Sequence, residues 1–508
     1  MKPDIGTTPN ENHLRDLFAL ITNDSTLLEC KIKYIKYLAL TNKNADEWNE
    51  LDRNLLSWLK REISDDPNEW DNFDPLQLED FAETLLLMDD RESLHHLIHY
   101  LEERFKRNSM IFYEERPRAY RKLMILECLA GLEPMAFDDA FALYSEFPVR
   151  STVREHGYQE LASAAADCYH LSPLIQPRIK KVVECIKRAG NENDRKSTAG
   201  IVFRKLCMRS ETACTPSIES LRVAEQYFLP LIAGDSLEKI FCLAQAAISL
   251  YLLSDRYPER REELKKESDH YLKKLIQSVR PHSDEVLEIV RDMHLLRAYA
   301  QIGYDDRVSD LSETFYNRAN ESFNTFNNLM LKFKTFQSEH GNLPHDFADM
   351  KYEAEMMSSQ YSKIFVHGLL HSGRFARTER SRKNLLNKLE KLVSMEFPVN
   401  DKLDALLGIS NAYSFLGNRD RSLIFMQRAV DYSRRIPPRE RKEILISDLT
   451  ETASENYMYT GDPIFISSFM DDLNSNDIKY KHAEEGARFF LDNLSAIAYS
   501  RRWEIAFG

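Results

Sequence analysis

Glycine is scarce in this chain, 15 of 508 residues, or about 3% where roughly 7% is usual. Few glycine turns and few alternating strand-type runs exclude a sheet-based fold and leave an almost all-helical one. Basic charge is also short: 68 Lys and Arg stand against 81 Asp and Glu, a formal charge of −13. A general nucleic-acid binder needs a basic face to release counterions from phosphates, so nucleic acid is disfavoured as a partner. The seven cysteines are an odd number, include no CxxC pair and stop at Cys242. Reduced thiols follow, and with them a cytoplasmic location. No run approaches the roughly 18 apolar residues of a membrane span. The polar first dozen residues carry no apolar signal-peptide core. The common phosphate-loop, dinucleotide, zinc-protease, nucleophile-elbow and EF-hand patterns are missing as well. No catalytic residue, metal or cofactor is therefore expected.

What the chain does have is amphipathic helix. Apolar residues recur at i, i+3, i+4 and i+7, as in Leu94, Leu97, Ile98, Leu101 and Phe105, or Leu264, Tyr271, Leu272 and Leu275. Proline ends helices, and breaks fall at Pro134, Pro148, Pro216, Pro281, Pro344, Pro398, Pro437 and Pro463, with another at Gly190-Asn191. Helices of this length with short turns pair as antiparallel hairpins. One hairpin cannot bury its apolar face alone, so hairpins stack. The expected fold is an all-α solenoid with a concave groove. We expect N-terminal helices over 1–60, a hairpin array over 61–280, repeats over 281–486 and a capping helix over 487–508.

The clearest repeat runs from Asn411 to Val430. Ala412 and Tyr413 fit a first helix, Leu416-Gly417-Asn418 a turn, and Ser422, Phe425, Met426 and Ala429 a second helix. This unit resembles the tetratricopeptide repeat (TPR), with small Ser422 and Ser410 where Ala or Gly is usual. Arg434 stands where the closing Pro is common, and Pro437 comes three residues later. A second copy surrounds Ala298-Tyr299 and Gly303, and a weaker one surrounds Tyr457 and Gly461. The resemblance implies a scaffold that grips a protein or peptide in its groove. It points to Asn411, Ser414 and Arg421 at the best repeat, and to Arg297 and Gln301 at the second. The family's carboxylate clamp is not supported, because Leu407 stands one turn before Asn411 where Lys is needed. The other readings are a peptide- or ligand-responsive regulator and an enzyme with an unrecognised helical site.

Charge is uneven. Residues 62–92 hold twelve acidic residues and only one basic residue, Arg91, so −11 of the −13 lies there. Trp70 and Phe73 sit inside that segment, which would suit docking of a basic partner. Two stretches are basic, 374–391 at +5 and 434–442 at +4. Solvated faces are the ordinary meaning of such runs. An anionic ligand, or pairing with the acidic segment of a second copy in a homo-oligomer, is the functional alternative. His95 and His99 share a helix face at metal-ligand spacing, but a zinc site needs three or four converging ligands and solvated histidines are the better reading.

Overall fold

The computed structural model describes residues 24–41, 90–107, 116–169, 172–207, 217–232, 236–279, 285–340, 345–395, 399–433 and 448–460, with isolated positions beside them. No strand occurs among the described residues. The chain divides into two compact units. The first is Met1–Lys265 with Ala483–Gly508, and the second is Lys266–His482.

The first unit contains α1 (Asp24–Thr41), α2 (Arg91–Arg107), α3 (Arg116–Leu129), α4 (Met135–Glu146), α5 (Thr152–Tyr169), α6 (Ile179–Arg188), α7 (Glu192–Cys207), α8 (Ile218–Val223) and α9 (Leu237–Arg256). Helices α3, α5, α7 and α9 pack side by side, and α4 and α6 pack behind them. The Leu94, Leu97, Ile98 and Leu101 stripe of α2 is buried as its spacing required. Each hairpin needs a start and a stop. Ser217 and Ser220 form a reciprocal capping box at α8, and Ser236 caps α9. Gly131 takes φ +76° after α3, while the amide of Leu132 donates to the Glu127 carbonyl at 2.8 Å. That six-to-one bond closes a helix on a left-handed residue, which glycine adopts without steric cost.

Helix α9 corrects one sequence expectation. Its 20 residues are long and apolar enough to cross a membrane by length and composition, with a mean hydropathy of 1.4 in the best window. It is instead a core helix, with 67% of that window buried inside the unit. Near the C-terminus, Ala487 and Leu491 are buried, and Arg488 reaches Glu29 of α1 at 3.3 Å.

Helix α10 (Arg261–Ile276) holds the division point. The second unit then runs α11 (Glu285–Ile302), α12 (Asp305–His340), α13 (His345–Arg374), α14 (Glu379–Val393), α15 (Val399–Phe415), α16 (Arg419–Ser433) and α17 (Asp448–Thr460). Helices α11, α13, α15 and α17 pack in a row, each on the next. Call this row the first-helix layer; α12, α14 and α16 are the second helices of the hairpins. One apolar core runs through the stack, including Leu296, Val308, Phe315, Leu369, Leu389, Leu406 and Ala429. The turns after α11 and α15 repeat the motif seen after α3. Gly303 and Gly417 take φ +91° and +72°, and the amides of Tyr304 and Asn418 donate to Tyr299 and Tyr413 at 2.9 and 2.8 Å. The fold is thus all-α, built of stacked helix hairpins in each unit.

Candidate functional site

The turn glycines Gly303 and Gly417, with Gly461 at the matching place in the sequence, set a common register. Counting back six residues from Gly303, Gly417 and Gly461 gives Arg297, Asn411 and Glu455. These are the same position of three first-layer helices, α11, α15 and α17. Counting back two gives Gln301, Phe415 and Tyr459. Helix α13 lies between α11 and α15 and contributes His367, His371 and Arg374.

These side chains connect across the layer. Arg297 and Arg374 both act electrostatically on His371. The His371 ring lies 4.7 Å from that of Phe375, which lies 5.8 Å from Phe415, which lies 5.4 Å from Tyr459. The Arg374 guanidinium sits over Phe375, Phe415 and Tyr459 at 5.2, 5.3 and 5.3 Å. It donates to the Tyr459 hydroxyl and lies 3.8 Å from a Glu455 oxygen. Cation–π contacts strengthen as water is excluded, and the Arg374 side chain is only 18% exposed. The Oδ1 atom of Asn411 is buried and has no hydrogen-bond partner among the described residues. His367 and His371 are exposed, whereas Arg297, Gln301 and Asn411 are half-buried.

Sequence reasoning selected Arg297, Gln301 and Asn411, and the structure brings them to this layer. It puts Ser414 and Arg421 elsewhere. Ser414 is buried inside its own hairpin and shares a hydrogen bond with Ser422 at 2.6 Å. Ser422 also meets Ser410 at 3.0 Å, and Asn456 donates to Ser410 at 2.8 Å. This buried polar cluster ties α15, α16 and α17 together. Arg421 belongs to a second helix and donates to Glu390 at 2.7 Å and to the Tyr413 hydroxyl at 2.6 Å. Burial and Glu390 push the Tyr413 hydroxyl up to about 12. Both residues have structural work that a local repeat pattern does not reveal. Trp70 and Phe73, with most of 62–92 and all of 434–442, lie outside the described residues.

Phe415, Glu455 and Tyr459 were missed, and Arg374 was read only as part of the basic stretch 374–391. Their signal was present, since Phe415 and Tyr459 stand two residues before Gly417 and Gly461. The basic stretch 374–391 is largely engaged within the unit. Arg380 pairs with Asp306 at 3.4 Å and Lys388 with Glu313 at 2.5 Å. Arg382 donates to the Ala376 carbonyl at 2.9 Å. Thr378 and Ser381 both donate to Asp305, and these bonds hold its carboxyl below the usual range.

Other chemistry was searched for. His95, His96 and His99 are exposed on α2, with His99 3.6 Å from Glu102. No group of three or more metal-ligating side chains occurs among the described residues. Six cysteines are buried and form no disulfide among the described residues, while Cys214 is outside them. Burial pushes the thiols of Cys168, Cys185, Cys207 and Cys242 up, Cys242 to about 12, so these remain protonated and unreactive. A cavity of about 280 Å³ lies among α14, α15 and α16. Its charged lining is already engaged: Glu390 with Arg421, Lys402 with the Met395 carbonyl, Arg428 over Phe425, and Asp431 with Gln427.

No protein-family model and no curated protein sequence matches the chain. Among solved structures, a circular tandem repeat protein with novel repeat topology is 15% identical over 94% of this chain and 99% of its own, at a TM-score of 0.27. A monomeric mutant of IFIT1 solved with m7Gppp-AAAA is 11% identical over 97% of this chain and 99% of its own, at a TM-score of 0.19. At such scores neither match carries an argument, and the helical-repeat fold rests on the helix contacts described above.

Proposed function

We propose that the protein is a non-enzymatic, TPR-like binding scaffold whose first-helix layer in the second unit grips a protein or peptide. One observation carries the reading: Arg297, Asn411 and Glu455 repeat at one register, with exposed His367 and His371 between them. A repeated polar row on a packed helix layer presents evenly spaced contacts to an extended chain. The row mixes cations with carboxylates, since Glu455 is joined by exposed Asp404 and Glu451. That mixture suits a peptide, whose backbone offers both donors and acceptors, better than a phosphate backbone, which carboxylates repel. Buried cysteines that form no disulfide among the described residues suit the cytoplasmic part of the reading.

The test starts from peptides selected from a displayed random library against the full chain. Their affinity for the Arg297→Ala/Asn411→Ala double variant should fall about tenfold or more, near 1.4 kcal/mol. The thermal midpoint of the variant serves as the folding control. Undiminished affinity in a folded double variant removes this layer as the binding site.

A further inference from the structure

The charges of the first-helix layer are sorted by helix. Helix α13 takes its place in the register through its rings, since Phe375 meets Phe415 as Phe415 meets Tyr459. The same offset aligns Gly368 with Gly408, and buried Ser372 with buried Ala412. His371 then shares the position of Arg297, Asn411 and Glu455. One turn earlier His367 shares the position of Glu451, and a further turn back Ile364 shares that of Asp404 and Asp448.

At these three positions the described residues of α11 and α13 include Arg297, His367 and His371 and no carboxylate. Those of α15 and α17 include Asp404, Asp448, Glu451 and Glu455 and no cation. Lys363 and Arg374 flank the histidines of α13 and add to the basic side. The other described charges of these helices lie off this face. Glu288 of α11 and Lys402 of α15 stand nine residues before Arg297 and Asn411. At about 100° per residue that is the opposite side of the helix, where Lys402 donates to the Met395 carbonyl at 2.7 Å. Arg291 and Asp292 pair with each other, and Asp292 lies 3.6 Å from Arg318 of α12. Glu353 and Glu355 of α13 come before position 359, where the register sets the first residues of α11 and α15. The basic and acidic sides touch at Arg374 and Glu455, 3.8 Å apart.

Each side crowds charge of one sign. His371 and Glu451 both reach solvent, yet the packed layer around them desolvates their charged forms. That desolvation, with Arg297, Arg374 and His367, holds the His371 pKa down at about 3. On the other side desolvation and Asp448 raise the pKa of the Glu451 carboxyl. A ligand group of opposite sign relieves the crowding on either side. Complementary charge is also what fixes the register of a bound chain. The middles of the two sides are two helix spacings apart, about 16–20 Å, which an extended chain spans in about five or six residues.

We propose that the layer takes an extended segment with an acidic side chain against α11 and α13 and a basic side chain, about five or six residues away, against α15 and α17. This names the class of partner and rests on the peptide-binding reading above.

The peptides selected from the displayed library against the full chain test it. They should be enriched in an acidic and a basic residue at that separation. Asp404→Lys/Glu451→Lys should bind such a peptide about tenfold more weakly, with the thermal midpoint as the folding control. The same variant should regain affinity for the peptide whose basic residue is replaced by Glu. Only direct pairing produces that rescue, because the two changes lie on different molecules. Changes in the peptide alone probe the pairing in the unaltered protein. Replacing either its acid or its base with Ala should cost about threefold to fivefold, the worth of an exposed pair. Peptides that need Arg297 and Asn411 but carry no such pair, or lose nothing when either charge is removed, overturn this inference and leave the peptide-binding reading standing. Peptides indifferent to Arg297→Ala/Asn411→Ala overturn that reading itself.

Discussion

Glu127 is a buried carboxyl at the C-terminal end of α3, and both of its oxygens accept the Ala136 amide of α4, at 3.0 and 3.1 Å. Burial raises its pKa, and Glu102 adds to this, so that it reaches about 9 despite the Ala136 bond that favours the carboxylate. At neutral pH the group is therefore a neutral acid. The sign of the linkage follows. Below the unfolded value of 4.5 both states hold the proton; between 4.5 and about 9 the folded state holds it alone. This contribution to stability is complete at low pH and fades as pH rises, at a slope of up to about 1.4 kcal/mol per pH unit. Glutamine copies the protonated acid, with an acceptor for Ala136 and a donor for Glu102. Glu127→Gln should match the wild type near pH 4.5 and become progressively more stable than it toward pH 9. Parallel melting curves across that range would show that the carboxyl is charged in the folded protein. Nothing in the sequence around Glu127 signals this, because the raised value comes from burial against other helices.

At the scale of elements, glycines inside helices set how closely the first-layer helices approach. A Cβ on Gly368 of α13 would lie 2.8 Å from Met293 Cγ and 2.9 Å from Phe315 Cε1. The Phe315 ring is itself fixed against Phe365, centroids 4.8 Å apart. A Cβ on Gly408 of α15 would overlap only the end of the half-buried Leu370 side chain. Alanine gains about 1 kcal/mol of helix propensity over glycine, while overpacking a fixed core costs roughly 1–3 kcal/mol. Gly408→Ala should be nearly neutral, since Leu370 can turn away, and Gly368→Ala should destabilise the second unit by about 1–2 kcal/mol net. Chemical denaturation monitored on both variants decides this, and equal midpoints would contradict it.

The helices, the breaks at Pro134 and Pro148 and the turn glycines Gly303 and Gly417 were legible in the sequence because each is a local signal. Leu94, Leu97, Ile98 and Leu101 read as a buried stripe and are one. The register of Arg297 and Asn411 was legible for the same reason. Non-local features were not. Arg421 looks like a groove residue until Glu390, 31 residues away, is seen to hold it. Ser414 looks like a contact residue until Ser422 is found against it.

At the scale of the molecule, two compact units carry the same hairpin construction with different polar surfaces. In the first unit the buried Asp167 of α5 is taken by Lys205 of α7 at 2.6 Å and by Arg121 of α3 at 3.5 Å. Its polar centre is consumed in holding helices together. In the second unit Arg297, His367, His371 and Asn411 stand half-buried or exposed along the first-helix layer. The central claim is that this layer receives the partner. Hydrogen–deuterium exchange of the full chain, with and without a library-selected peptide, tests it most directly. The account expects slowed exchange confined to α11, α13, α15 and α17, and no such slowing in Arg297→Ala/Asn411→Ala. Slowed exchange in the first unit or in the second helices α12, α14 and α16, with the first-helix layer unchanged, would contradict it.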